Sequence, residues 1–384
     1  MEEKMKKTKK IILPLALILS LFINLLYLFN ILNLKVFPFA AKTKETQDFQ
    51  DFQKIREIDS VKKYKDVRWK DLRKIESKID TSMIKTFWFN EQTIWPKKYA
   101  SFAKNLLIKG KNPGLGIRNL HKQGILGTGV VVAIIDYNIC LDHPEYSGKI
   151  IEYHEMGSNQ PSNKSSMHGP AVASLLVGDS IGTAPGAKIY FVAVPDWSDD
   201  AKYWADALNW LVDKNKKLPE GKKIRAVSVS AAPSGLPFKN NKPWDIAFAR
   251  AISSGLIIID CTRNSDISTG TCCYNIYDPN NVKSCVSGFL DKYKDSTCLL
   301  MPCDQRTTAQ EYDLGKFSYQ FTGRGGLSWA EPYLVGVLAL GWQLRPDISG
   351  NEMLKLVFST AYRDNGSRFI QPNEFINAVK SYHN

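Results

Sequence analysis

Gly326-Leu327-Ser328-Trp329-Ala330-Glu331-Pro332 runs directly into the apolar stretch Tyr333-Leu334-Val335-Gly336-Val337-Leu338-Ala339-Leu340. How that junction is read decides the fold. A serine among small residues, where a Gly-rich turn feeds a buried helix, stands where a nucleophile would. Glycine lets the backbone turn tightly, and a helix N-terminus offers N–H groups and a positive dipole end to a developing anion. Ser328 is inert as a neutral hydroxyl, so this reading requires a base to take its proton and a third group to hold that base.

Both partners lie upstream. Val130-Val131-Val132-Ala133-Ile134-Ile135 is a β-branched run of the kind that forms a fully buried strand of a parallel sheet. Asp136 ends it, at the edge where open α/β sheets carry their chemistry. Met167-His168-Gly169-Pro170-Ala171-Val172-Ala173 then sets a histidine at the opening of a small-residue helix. His168 can accept a proton near neutral pH, and Asp136 can hold the imidazole tautomer and stabilise the imidazolium. Of the five histidines, His121, His154 and His383 lack such a context, and His143 belongs to the loop after Asp136.

These segments resemble the signatures of the subtilisin-like serine peptidases. Ser328-Trp329-Ala330-Glu331-Pro332 is similar to the Ser-Met-Ala-x-Pro of the Gly-Thr-Ser-Met-Ala-x-Pro run. His168-Gly169-Pro170-Ala171-Val172-Ala173-Ser174 resembles His-Gly-Thr-x-Val-Ala-Gly. Asp136 with the later His143-Pro144 resembles Asp-Thr-Gly-Ile-x-x-x-His-Pro, with Tyr137-Asn138 departing from the usual Thr/Ser-Gly. Gly182-Thr183-Ala184-Pro185-Gly186 follows at the family's usual place. The chain order Asp, His, Ser is the family's. It differs from the chymotrypsin and α/β-hydrolase orders, and no Gly-x-Ser-x-Gly run supports the latter.

The resemblance implies a triad of Asp136, His168 and Ser328, with the Asn264 side-chain amide and the Ser328 N–H as oxyanion donors. It also implies a primary specificity pocket between Ser230-Ala231-Ala232 and Cys261-Thr262-Arg263. There Asp260, Cys261, Thr262 and Arg263 replace small residues, so the pocket is expected to be reshaped. The expected activity is endopeptidase cleavage of protein or peptide substrates. A catalytically inactive member of the fold, binding peptides or regulating a partner, is the alternative suggested by the altered turn and pocket wall. No cofactor is required. A structural calcium ion occurs in many family members, but no acidic loop here identifies one.

Composition agrees. The 384 residues, 44% hydrophobic and 23% charged, suffice for one large domain with appendages. β-Branched runs alternate with helical patterns from residue 111 to 384, giving an α/β fold with a mostly parallel central sheet flanked by helices. Residues 199–215 read as an amphipathic helix with Trp204, Ala207, Leu208 and Leu211 on one face, and 373–382 as a closing helix. There is no internal repeat, P-loop, dinucleotide loop or His-Glu-x-x-His motif.

The N-terminus indicates a compartment. Residues 1–10 form a basic tail with five lysines against two glutamates, and 11–34 are almost unbroken apolar sequence. That length crosses a hydrocarbon core of about 30 Å, and the basic flank stays cytoplasmic. The expected topology is a single-pass cell-membrane anchor with the peptidase domain extracytoplasmic; a cleaved signal peptide is the rival. Residues 35–110 read as a basic membrane-proximal linker or short prosegment. Much of the net charge of +13 lies here and in the first ten residues, beside a membrane span and without a binding motif, so nucleic acid is not an expected partner. Six of the seven cysteines fall between Cys261 and Cys303. Outside the cell that clustering suggests disulfides, with one thiol left over.

Overall fold

β-Branched residues on both faces of one strand demand cover on both sides, and the architecture follows from that. A computed structural model describes residues 55–157, 165–262, 268–288 and 298–383. The chain runs through β1 (Trp88–Asn90), α1 (Lys97–Lys109), β2 (Val131–Asp136), β3 (Ile150–Glu155), α2 (His168–Val177), β4 (Lys188–Ala193), α3 (Ala201–Lys217), β5 (Ile224–Val229), α4 (Asn241–Ser253) and β6 (Ile257–Asp260). It continues through β7 (Ser268–Cys273), β8 (Val286–Ser287), β9 (Cys298–Pro302), β10 (Arg306–Asp313), β11 (Lys316–Thr322), α5 (Ala330–Leu344), β12 (Tyr362–Asp364), β13 (Ser367–Phe369) and α6 (Pro372–Lys380).

The central sheet has the order β3-β4-β2-β5-β6, and every neighbouring pair is parallel. β2 therefore lies in the middle, with later strands added on either side, and its carboxyl end is the point where the winding reverses. Its residues alternate between two cores. Val132 and Ile134 pack with Val172 and Leu175 of α2 and with Leu338 of α5. Val131, Ala133 and Ile135 pack with Trp204, Leu208 and Leu211 of α3 and with Trp244 and Ala247 of α4. This two-sided burial accounts for the uninterrupted apolar run.

α3 begins where Asp200 accepts a hydrogen bond from the Lys202 N–H at 2.8 Å, and the four apolar residues read from its sequence are all buried. α6 closes the chain at Pro372–Lys380. A second five-stranded sheet, β8-β7-β9-β13-β12, lies apart from the central one.

Residues 56–109 belong to the stretch read as linker or prosegment. Many of their apolar side chains are buried, although Tyr64 and Ile108 are exposed. β1 pairs antiparallel with β11, which pairs with β10, and Phe89 lies against Phe321 with ring centroids 4.9 Å apart. Val67, Leu72, Ile75, Ile84, Phe87 and Leu106 complete this small core.

The expected membrane span lies outside the described residues. Among those described, no helix is long and apolar enough to cross a membrane. The expected disulfides are not formed: Cys140, Cys261, Cys272, Cys273, Cys285 and Cys303 are free thiols. Proximity in sequence did not become proximity in space for all of them. Cys298 is registered with Ser268, four residues down β7 from Cys272, and adjacent Cys272 and Cys273 point to opposite faces of their strand.

Phe89→Ala should remove about 3–5 kcal/mol of packing and expose residues 56–109 first. The expected outcome is early cleavage within that stretch in limited proteolysis. A digestion pattern identical to wild type would show that β1 does not depend on this contact.

Candidate active site

α2 opens with His168, and the next residue sets how near the helix comes to β2. A Cβ on Gly169 would lie 2.3 Å from the Tyr137 carbonyl oxygen and 2.6 Å from that of Asn138. Only glycine lets the helix start press onto the loop after Asp136. The approach is tied down by Ser166, whose N–H reaches the Asn138 Oδ1 at 2.9 Å and whose hydroxyl donates to the Asn138 carbonyl at 2.9 Å. The same hydroxyl accepts from the Gly169 N–H at 2.9 Å. Tyr137-Asn138, the departure noted in the sequence, thus builds the bracket that seats the helix.

The result is a 2.7 Å hydrogen bond between His168 Nδ1 and Asp136 Oδ1. Asp136 is fully buried, and its Oδ1 also accepts from the Tyr137 N–H at 2.8 Å. A neutral imidazole that donates from Nδ1 carries its lone pair on Nε2, the nitrogen required for a general base. Tyr137 and Trp329 flank the ring, with centroids 5.8 and 5.6 Å away.

Ser328 sits in a single 3-10 turn, Leu327–Trp329, that passes directly into α5. Its neighbour Trp329 is the residue that packs on His168, so the serine turn stands beside the imidazole. The Ser328 hydroxyl donates to the Ser230 carbonyl at 3.2 Å, and the Ser230 hydroxyl donates to the Ser328 carbonyl at 2.9 Å. Upstream, Gly325 donates its N–H to Asp304 Oδ1 at 2.8 Å, and a Cβ on Gly325 would lie 2.1 Å from the Cys303 carbonyl oxygen. Burial pushes the Asp304 carboxyl up to about 6.

The strand ends assigned to the specificity pocket meet each other. Cys261 donates its N–H to the Ala231 carbonyl at 2.9 Å, and the Ala232 carbonyl accepts from the Gly235 N–H at 2.9 Å. The β5–β6 ladder therefore continues one step past the strands before the chains part. Arg263 and Asn264, expected to line the pocket and to donate to the oxyanion, lie outside the described residues. His143 is buried, accepts from the Glu145 N–H at 3.1 Å and approaches the Ser318 carbonyl at 3.3 Å; burial lowers its pKa. It is a structural residue of the Asp136 loop.

Three contributors escaped the sequence reading. Trp329 and Asp304 act by packing and by a bond across 21 residues, which no local pattern encodes. Glu331 was legible only as the variable position before Pro332. It is fully buried, and its Oε1 accepts from the Thr269 hydroxyl at 2.6 Å. Its Oε2 has no hydrogen-bond partner. Burial pushes its carboxyl up to about 8, against the Thr269 bond that lowers it. Asp260, also buried, is raised by burial, and the Cys261 thiol is raised by burial and then by Glu331. Among the described residues no three His, Cys, Asp or Glu side chains are grouped to hold a metal ion.

Comparison with known proteins agrees with this architecture. The subtilase family profile matches residues 127–291. Subtilisin-like protease PopC of Myxococcus xanthus is 23% identical over 65% of this chain and 58% of its own length. Subtilisin-like protease 2 of Trichophyton equinum is 27% identical over 45% of this chain and 43% of its own. The chain spans about half the length of these curated relatives. Among solved structures, that of the subtilase cytotoxin SubAB assembly superposes with a TM-score of 0.54 at 15% identity, covering 70% of this chain and 95% of that one. The prenylagaramide maturation protease PagA gives 0.50 at 16%, covering 69% and 98%. The fold is subtilisin-like.

Glu331 makes stability depend on pH with a definite sign. Its folded-state value of about 8 lies above the ordinary 4.5, so the folded protein keeps a proton that the unfolded chain releases. Stability is therefore lost as pH rises from about 4.5 to about 8. Calorimetric Tm of Glu331→Gln, which does not titrate, should gain on wild type steadily between pH 5 and pH 8. A constant difference across that range would contradict the assignment.

Proposed function

We propose that the chain is a serine endopeptidase that cleaves peptide bonds through an acyl-enzyme. The observation that carries this reading is the 2.7 Å His168–Asp136 bond beside the turn bearing Ser328, in a chain that the subtilase family profile matches over residues 127–291. In the proposed reaction the Ser328 hydroxyl leaves the Ser230 carbonyl and turns to His168 Nε2. The imidazole takes its proton while Oγ attacks the substrate carbonyl carbon, and buried Asp136 stabilises the imidazolium. The oxyanion is received by the Ser328 N–H and, by resemblance, by the Asn264 amide. His168 then protonates the departing amine, and water releases the acyl group by the same steps. No cofactor enters this scheme.

One observation favours the alternative of an inactive, peptide-binding member of the fold: the Ser328 hydroxyl is donated to Ser230. Fluorophosphonate separates the two, since it labels an activated serine only. We expect wild type to be labelled at Ser328, and Ser328→Ala, His168→Ala and Asp136→Asn to lose both labelling and peptide hydrolysis. The loss in turnover should reach about four orders of magnitude for the serine and histidine variants, because triad members act as a unit. Unchanged hydrolysis in all three would remove the triad.

The proposal includes residues 11–34 as a single-pass anchor and an extracytoplasmic peptidase domain, supported by the apolar run and its lysine flank. The full chain should stay with membranes through alkaline carbonate extraction. A soluble species beginning near Lys42 would favour cleavage of the apolar segment instead.

A further inference from the structure

Glu331 is an anomaly in a protein core. It is fully buried three residues beyond the candidate nucleophile, and one carboxyl oxygen is held by Thr269 while the other has no partner. A buried carboxyl left half-satisfied costs free energy and calls for an explanation. The groups that act on it are Thr269, Asp260 and Cys261, none of them cationic. Asp260 is itself buried, with Oδ1 accepting from the Thr262 N–H at 3.1 Å and Oδ2 unpartnered. Asp136 adds a third buried acid at the neighbouring strand end. Acids are thus gathered at the ends of β2 and β6 and the start of α5; Asp136 is held by His168, and among the described residues no cationic side chain pairs with Glu331 or Asp260.

The location says where a cation would come from. Glu331 follows Ser328 by three residues, which puts both on one side of the helix start. The partly exposed Cys261 lies next to its carboxyl and belongs to the strand end that borders the serine turn through Ala231 and Ser230. The side chain of a peptide held for attack by Ser328 is the group that would enter past Cys261.

We propose that Glu331 is a specificity-determining residue that pairs with a basic side chain, lysine or arginine, on the residue whose carbonyl Ser328 attacks. The inference rests on the peptidase reading above and names its substrate class. A lysine or arginine supplies the missing positive charge, and its N–H groups satisfy Oε2 in a desolvated corner where a charge-assisted bond is strong. A neutral side chain leaves Oε2 as it is, and an acidic one adds to a crowd of carboxyls.

The test uses the full chain and matched fluorogenic peptides that differ only before the scissile bond, carrying arginine, lysine, leucine or citrulline. Citrulline keeps the shape of arginine without its charge. Wild type should cleave the arginine peptide with a kcat/KM about 30-fold or more above the citrulline peptide, the scale of losing one partner of a buried charge pair. Glu331→Gln should collapse that ratio towards one. Wild type that treats arginine and citrulline alike, or a variant that keeps the full ratio, overturns the proposal. The wild-type comparison stands even where Glu331→Gln fails to fold. Fluorophosphonate labelling of Ser328 is read in parallel. Labelling without basic selectivity sinks this inference and leaves the peptidase intact, whereas absent labelling and hydrolysis sink the peptidase reading first and this inference with it.

Discussion

The hydrogen bond between Asp136 and His168 is the contact on which the site depends, and much of the fold serves to hold it at 2.7 Å. It joins the end of a buried strand to the start of a buried helix, so neither partner can drift without moving an element. β2 is fixed by cover on both faces, and α2 is drawn onto it by Ser166 and Gly169. A carboxylate without solvent, bonded to one imidazole nitrogen, fixes the tautomer by electrostatics rather than by steric contact. For the proposed reaction this arrangement is preorganised, with the histidine already oriented.

Ser328 is held by a different logic. Its turn rests on the Cys303–Asp304 corner through Gly325, on Ser230 through two reciprocal hydrogen bonds, and on His168 through Trp329. The main chain is fixed at several points while the hydroxyl keeps a single 3.2 Å bond, near the long end of the range for an O–H donor. A rigid backbone with a weakly held hydroxyl suits a group that must leave one acceptor for another. Asp304 ties this support to protonation, since burial holds its carboxyl near 6.

The parts of this design legible in the sequence were those written as local periodicity or local turn chemistry. β2 showed as a β-branched run, α3 as a helical apolar face, and His168 as the opening of a small-residue helix; all lie where their patterns put them. What stayed hidden depends on distant partners. Trp88–Asn90 forms a strand only because Lys316–Thr322 offers it an edge more than 220 residues later. The clustered cysteines suggest disulfides, yet strand register sets Cys272 and Cys298 at different levels of one sheet. Glu331 has the composition of a solvent-facing residue, and its burial follows from α5 being apolar all round rather than on one face.

Carboxyls buried around the Cys261 thiol would ordinarily work against one another, because like charges in a dry corner repel. The protein avoids that repulsion in the free state by keeping Glu331 protonated below about pH 8. Its Thr269 bond holds one oxygen while the proton neutralises the other side of the group. When a lysine or arginine side chain arrives, its positive charge lowers the carboxyl's affinity for that proton. The proton is lost to solvent, and an ion pair forms in its place. A carboxyl held at neutrality by burial is therefore a dormant charge, and the free energy that suppresses it is returned only to a ligand carrying the opposite sign. Selectivity on this basis requires no wide, acid-lined cavity in the unbound protein, and a corner that looks closed and neutral without substrate is what such a site should look like.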